Sequence, residues 1–230
     1  EDSIAEVPPI MMREPFFEIF GQSNGYAPYT YEIAVKHAGH SSAATAGAWE
    51  LTRIALEELY PYGEIPVRGQ IQVEAPGAEE QFPVGVFGEV ISYITGASPK
   101  TGFFGAEFGS VNDLFNRQNL MIYTDQPTDT PPPKMEWIFT RKDNGAKVGV
   151  TMNITSVQPF QDTDEFEMGA KMAKGVTTPE EAEEYYLFWN DRARFVFDNT
   201  DTLEGFFFVN VYEEAPMTTG MAIEEVETPN

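Results

Sequence analysis

The only two histidines of this 230-residue chain are His37 and His40, three positions apart in the stretch KHAGHSSAATAGAWE, residues 36–50. A neutral imidazole is a good ligand for zinc, nickel, copper and iron. Two imidazoles three residues apart can reach one ion from a helix or from its first turn. The spacing therefore predicts a divalent transition-metal site. The alternative left open is that the two histidines cap or pack at the start of a helix.

Two imidazoles alone do not make a tight metal site, so the remaining ligands would be carboxylates, water or backbone oxygens. Glu74, Glu79 and Glu80 are candidates because they follow a predicted strand into a loop. The chain has no cysteine, which excludes disulfides, thiolate zinc sites, iron–sulfur clusters and a cysteine nucleophile. Whether the protein is an enzyme stays open. If it is one, a metal-bound water would be the reactive group.

Three other sequence patterns give weaker support for a functional site. Haem ligation by His37 or His40 lacks a C-x-x-C-H attachment motif. The pair Ser41–Ser42 beside His40 could supply a nucleophile, but serines are also preferred helix N-caps. The stretch Asp198–Asn199 with Asp201 lacks the spacing and the glycine of a calcium loop.

The charge balance restricts the possible partners. There are 37 acidic and 14 basic residues, a formal net charge of −23. Such a surface repels nucleic acid and anionic lipid, and it attracts cations and basic partners. No apolar run reaches the roughly 20 residues of a membrane helix, so we expect a soluble protein without membrane insertion. An acidic surface together with Glu1 in place of an initiator Met predicts a processed periplasmic or extracellular protein, with a cytoplasmic location left open.

Helices and strands alternate without the regularity of a doubly wound sheet. Helices are predicted from Ser41 or Ser42 to Tyr60, from Pro83 to Gly96, and after a Thr178–Glu181 capping box. A hairpin is predicted around Asp143–Asn144–Gly145, and strands are predicted near residues 67–75, 117–125 and 204–212. These elements favour an α+β fold with a mixed or antiparallel sheet layered with helices. We expect an extended lead-in over 1–14, a single domain over 15–212 and a tail over 213–230.

Several short motifs resemble the formylmethanofuran dehydrogenase E-like (FmdE-like) family, in particular its branch with a G-H-S-C-P-T element. They are GHSSAATAGAW at 39–49, PVRGQIQVE at 66–74, VISYITGAS at 90–98, GFFG at 102–105 and RQNLMIY at 117–123. The late stretch LFWNDRARFVF is similar as well. The resemblance runs from about residue 15 to 212.

The resemblance implies an α+β domain, a homodimer, and a metal near the G-H-x-C element. His40 matches the family histidine, whereas Ser42 takes the place of the family cysteine and Ala43 that of the following proline. A serine hydroxyl is a much poorer ligand for zinc, nickel, iron or copper than a thiolate. The leading hypothesis is thus an FmdE-like protein that binds a divalent metal ion, or a small ligand containing one, through His37, His40 and a carboxylate such as Glu74. The alternative is a non-catalytic acidic binding or assembly protein that has lost this metal site.

Overall fold

A computed structural model describes residues 6–105, 114–130, 134–158 and 163–212 of the chain. Its helices are α1 (Pro15–Ile19), α2 (Tyr31–Ala38), α3 (Ala43–Leu59), α4 (Val84–Thr95), α5 (Thr163–Lys174) and α6 (Pro179–Asn199). Its strands are β1 (Ile10–Arg13), β2 (Tyr26–Tyr29), β3 (Ile71–Glu74), β4 (Met121–Ile122), β5 (Glu136–Arg141), β6 (Lys147–Met152) and β7 (Phe207–Tyr212).

The main sheet has five strands in the order β4–β3–β5–β6–β7. Strand β4 runs parallel to β3, and the other neighbours are antiparallel. A second, two-stranded antiparallel sheet joins β1 to β2. Helices cover one face of the main sheet, so the predicted α+β architecture with a mixed sheet is confirmed.

Helix α3 lies at the centre of the core. Every residue from Ala43 to Thr52 is buried, which is possible because most of these side chains are small. A Cβ atom at Gly47 would collide with the side chain of Met152 on β6, so glycine there allows the helix to approach the sheet closely. Helix α3 packs against α4, α6 and the sheet. Its own position is therefore fixed, and so are those of the turn before its start and the turn after its end.

A buried ion cluster holds the N-terminal segment onto the domain. Glu14, only 3% exposed, accepts hydrogen bonds from Arg117 Nη2 at 2.7 Å and from Arg68 Nη1 at 3.0 Å. Arg117 also donates to the backbone oxygens of Arg68 and Leu114. Burial lowers the pKa of the Arg117 guanidinium, and the carboxylate of Glu14 opposes that effect. The end of the expected lead-in is therefore packed onto the domain through Glu14.

Most predicted elements are present with adjusted bounds. The helix ending at Gly96, the hairpin around Asp143–Gly145, and the Thr178–Glu181 capping box are confirmed. Strand β3 is shorter than predicted, although Val67 forms a single bridge to Arg13. Strands β1 and β2 and helices α2 and α5 were not predicted.

The expected tail, residues 213–230, and residues 1–5 of the expected lead-in lie outside the described part of the chain. Among the helices described, none combines the length and the apolar character that a membrane crossing requires.

We predict that Glu14→Gln lowers the free energy of unfolding by about 3 kcal/mol or more, because it leaves two guanidinium groups, one of them fully buried, without their anion. Chemical denaturation with urea measures this change. The matched control is Glu32→Gln, which removes an exposed carboxylate paired with Lys36 and should cost less than about 0.5 kcal/mol. Equal losses in the two variants would show that the cluster is not a structural anchor.

Candidate metal site

His37 lies in the last turn of α2 and pairs with a carboxylate of α4. Its Nε2 atom is 2.8 Å from Oε2 of Glu89, and the two side chains are 49% and 59% exposed. Thr30 caps the start of α2, and Gly39 ends the helix with a φ of 91°. The pair is thus presented to solvent by two packed helices, which hold its backbone positions fixed.

Tyr93 stands one turn after Glu89 on α4 and supports the pair. Its hydroxyl oxygen accepts a hydrogen bond from the backbone N–H of Thr30 at 3.3 Å, and its ring centroid lies 6.4 Å from that of His37. Helix α4 therefore contacts both ends of α2. This arrangement limits the freedom of Glu89 and His37 to move apart.

His40 lies outside α2 and does not join the pair of His37 and Glu89. Because Gly39 adopts the left-handed conformation, the chain leaves the helix before His40, and the three-residue spacing no longer places both rings on one helical face. The ring of His40 lies 6.3 Å from the ring of Trp189 on α6, nearly perpendicular to it. His37, in contrast, faces α4.

Ser42, at the position of the family cysteine, is the N-cap of α3. Its Oγ accepts from the backbone N–H of Thr45 at 3.2 Å and lies 3.1 Å from the Thr45 hydroxyl. The residue is 3% exposed. Its oxygen is therefore engaged in helix capping, as the capping interpretation of these serines predicts.

Glu74 is on the other face of the sheet. Ile71 and Val73 of β3 point into the core beneath the helices, so the alternating side chain of Glu74 points the other way. Its Oε1 accepts from Lys147 Nζ at 3.0 Å. The structure consequently places Glu74 in an ion pair away from the two histidines.

Within the described ranges, no group of three or more His, Asp or Glu side chains is arranged to hold a metal ion. What the structure does bring together is a single imidazole and a single carboxylate, His37 and Glu89. Glu89 could not be predicted from the sequence, because a carboxylate 52 positions away on another helix leaves no spacing signal.

We predict that Ser42→Ala lowers the free energy of unfolding by about 1 kcal/mol, since the N-cap hydrogen bond is lost, and leaves the affinity for metal ions unchanged. Thermal and urea denaturation measure the first effect, and calorimetric titration with Zn²⁺ measures the second. Ser42→Thr, which keeps a capping hydroxyl, is the control. Loss of metal binding in Ser42→Ala with retained folding would make the serine a ligand after all.

Comparison with known proteins adds no relative: no family model matches the chain, and a search of curated proteins returns no match. The resemblance to the FmdE-like family stays a prediction from its short motifs.

Proposed function

We propose that this protein binds a divalent transition-metal ion, or a small ligand that carries one, at the exposed pair of His37 and Glu89. The observation that supports this proposal is the 2.8 Å separation of the imidazole Nε2 and the carboxylate Oε2. Two donor atoms at about 2.1 Å from one ion, with an angle near 90° between them, lie about 3 Å apart. An ion can therefore take the place of the shared proton with a small rotation of either side chain.

The surroundings favour a cation at this position. The chain carries a net charge of −23, and Lys36, the basic neighbour of His37, is paired with Glu32. Both members of the pair are about half exposed, so a bound ion keeps part of its hydration and loses little solvation energy. Zinc, nickel, iron and copper are the ions that a mixed imidazole and carboxylate site takes, with copper(II) bound most tightly.

Only two protein ligands are supplied, so the remaining coordination positions are filled by water or by donors that belong to the ligand. This is the pattern of an open site that receives a hydrated ion or a small metal complex. It differs from a closed structural zinc site, in which the protein supplies all four ligands. The predictions of a homodimer and of a periplasmic or extracellular location rest on the sequence alone and stay predictions.

We predict that His37→Ala and Glu89→Gln each weaken binding of Zn²⁺, Ni²⁺ and Cu²⁺ at least tenfold, because each removes one of two protein ligands. The measurement is isothermal titration calorimetry on protein stripped with a chelator and then freed of it. Glu58→Gln, which removes one exposed negative charge from α3 without touching the pair, is the control for the general effect of charge and should retain binding within about twofold.

His40→Ala tests the other histidine, and we expect it to retain binding because the ring of His40 packs against Trp189. Unchanged affinity in His37→Ala and Glu89→Gln, or loss only in His40→Ala, would contradict the proposed site.

A further inference from the structure

A large cavity lies at the opposite end of α3 from the two histidines. It has a volume of about 1100 Å³, is open to solvent on one side, and is lined by the N-terminal segment, the second half of α3, the turn at 60–66, and the end of α6 with Asp201. Small-molecule sites usually have volumes of about 300–1,000 Å³, so the space is ample for an organic ligand. His37 and Glu89 are not among the residues that line it.

The lining of this acidic cavity is strongly biased in charge. It contains two guanidinium groups, those of Arg53 and Arg194, and six carboxylates: Glu6, Glu50, Glu57, Glu64, Asp198 and Asp201. Low-dielectric walls concentrate the field of such groups inside a cleft, so the cavity attracts cations and rejects anions.

Arg53 does not reverse this bias, because each of its three guanidinium nitrogens already donates to a carboxylate. Arg53 donates from Nε to Glu50 at 2.8 Å, from Nη1 to Glu57 at 2.9 Å and from Nη2 to Asp201 at 3.0 Å. Burial raises the pKa of the Glu50 carboxyl, and Arg53 opposes that effect. Arg53 therefore joins α3 to the turn after α6, and its positive charge is compensated by three carboxylates.

Two helix C-termini meet at the cavity, and neither carries a basic residue in its last turn. Glu57 lies in the last turn of α3 and Asp198 in the last turn of α6, and both side chains line the cavity. The carbonyl end of a helix has a partial negative charge, so carboxylates there are unfavourable and cations are favoured. Asp198 has no cationic partner among the described residues. The carboxylate of Asp198 and the carbonyl end of α6 therefore repel each other, and a bound cation would reduce this repulsion.

The walls between these charges are apolar and partly aromatic. Leu56 is buried and Phe197 half-buried, while Met11 is 39% exposed. Tyr62 is fully exposed at the rim and has a φ of 62°, a conformation that is costly for a bulky side chain. Its exposed aromatic ring beside an acidic cavity is suited to contact with an ammonium group through its face.

We infer that the acidic cavity binds a small organic cation, an amine or quaternary ammonium compound with an apolar body. The ammonium group lies beside Asp198, the cavity carboxylate at the end of α6 that has no cationic partner among the described residues, and the apolar body packs on Tyr62, Phe197 and Leu56. An inorganic ion is not the proposed ligand, because no three carboxylates in the described ranges are arranged to coordinate one.

The test uses probes of similar size and different charge. Calorimetric titration of the intact protein at pH 7 and low salt compares two cations, 2-phenylethylamine and tetraethylammonium, with neutral 2-phenylethanol and anionic 3-phenylpropionate. We expect both cations to bind at least tenfold more tightly than the neutral and anionic probes. Absence of binding by both cations, or equal binding of all four probes, would overturn the inference.

Single substitutions test whether the cations bind in the cavity. Asp198→Asn and Tyr62→Ala alter exposed side chains, so both should fold, and each should weaken binding of the cations at least threefold. Glu184→Gln removes the same charge from an exposed position earlier on α6 and should leave affinity within experimental error. Equal weakening in Asp198→Asn and Glu184→Gln would mean that net charge alone attracts the cations, which would overturn the assignment to the cavity. His37→Ala should not affect these probes, so this test is independent of the metal site.

Discussion

Close packing around helix α3 is the constraint on which the rest of the structure depends. The helix is buried on all sides over its first ten residues, and small side chains there let α4, α6 and the sheet reach it. A Cβ atom at Gly47 would collide with the side chain of Met152 on the sheet. Protein interiors tolerate little change in volume, so this contact fixes the positions of both ends of the helix. The histidine–carboxylate pair lies near its start, and the acidic cavity lies at its end.

The acidic residues are used in two different ways. Where a carboxylate is buried in the core, as at Glu14, arginines surround it and the charge is compensated. Where a carboxylate lies at a helix C-terminus without a cationic partner among the described residues, as at Asp198, the backbone adds to its negative potential. The first arrangement stabilises the fold. The second favours a cation in the acidic cavity.

The sequence predicts the fold class well because its strongest signals are local. Ser42 as an N-cap, Gly96 as a C-cap, and the Thr178–Glu181 capping box each involve residues within one turn, and the structure contains all three. Helix α2 was missed because its start, at Tyr31, follows directly on strand β2 and its apolar pattern is short. Strand β2 contains Pro28 and follows a glycine turn, so its sequence is typical of a loop.

The candidate site was harder to predict, because it depends on contacts between distant segments. The sequence pointed to His37, but the left-handed Gly39 separates it from His40, and an alternating strand sends Glu74 to the far face of the sheet. Glu89 reaches His37 only through the packing of α4 on α2. The acidic cavity likewise combines the ends of two helices that are far apart in the chain.

The most direct test of the proposed metal site is the number of imidazoles bound to the ion. Electron spin echo modulation of the Cu²⁺-loaded protein detects the remote nitrogen of each coordinated histidine. The structure leads us to expect one imidazole, and its signal should disappear in His37→Ala. No imidazole signal would contradict metal binding at the pair, and two imidazoles would contradict the separation of His37 from His40.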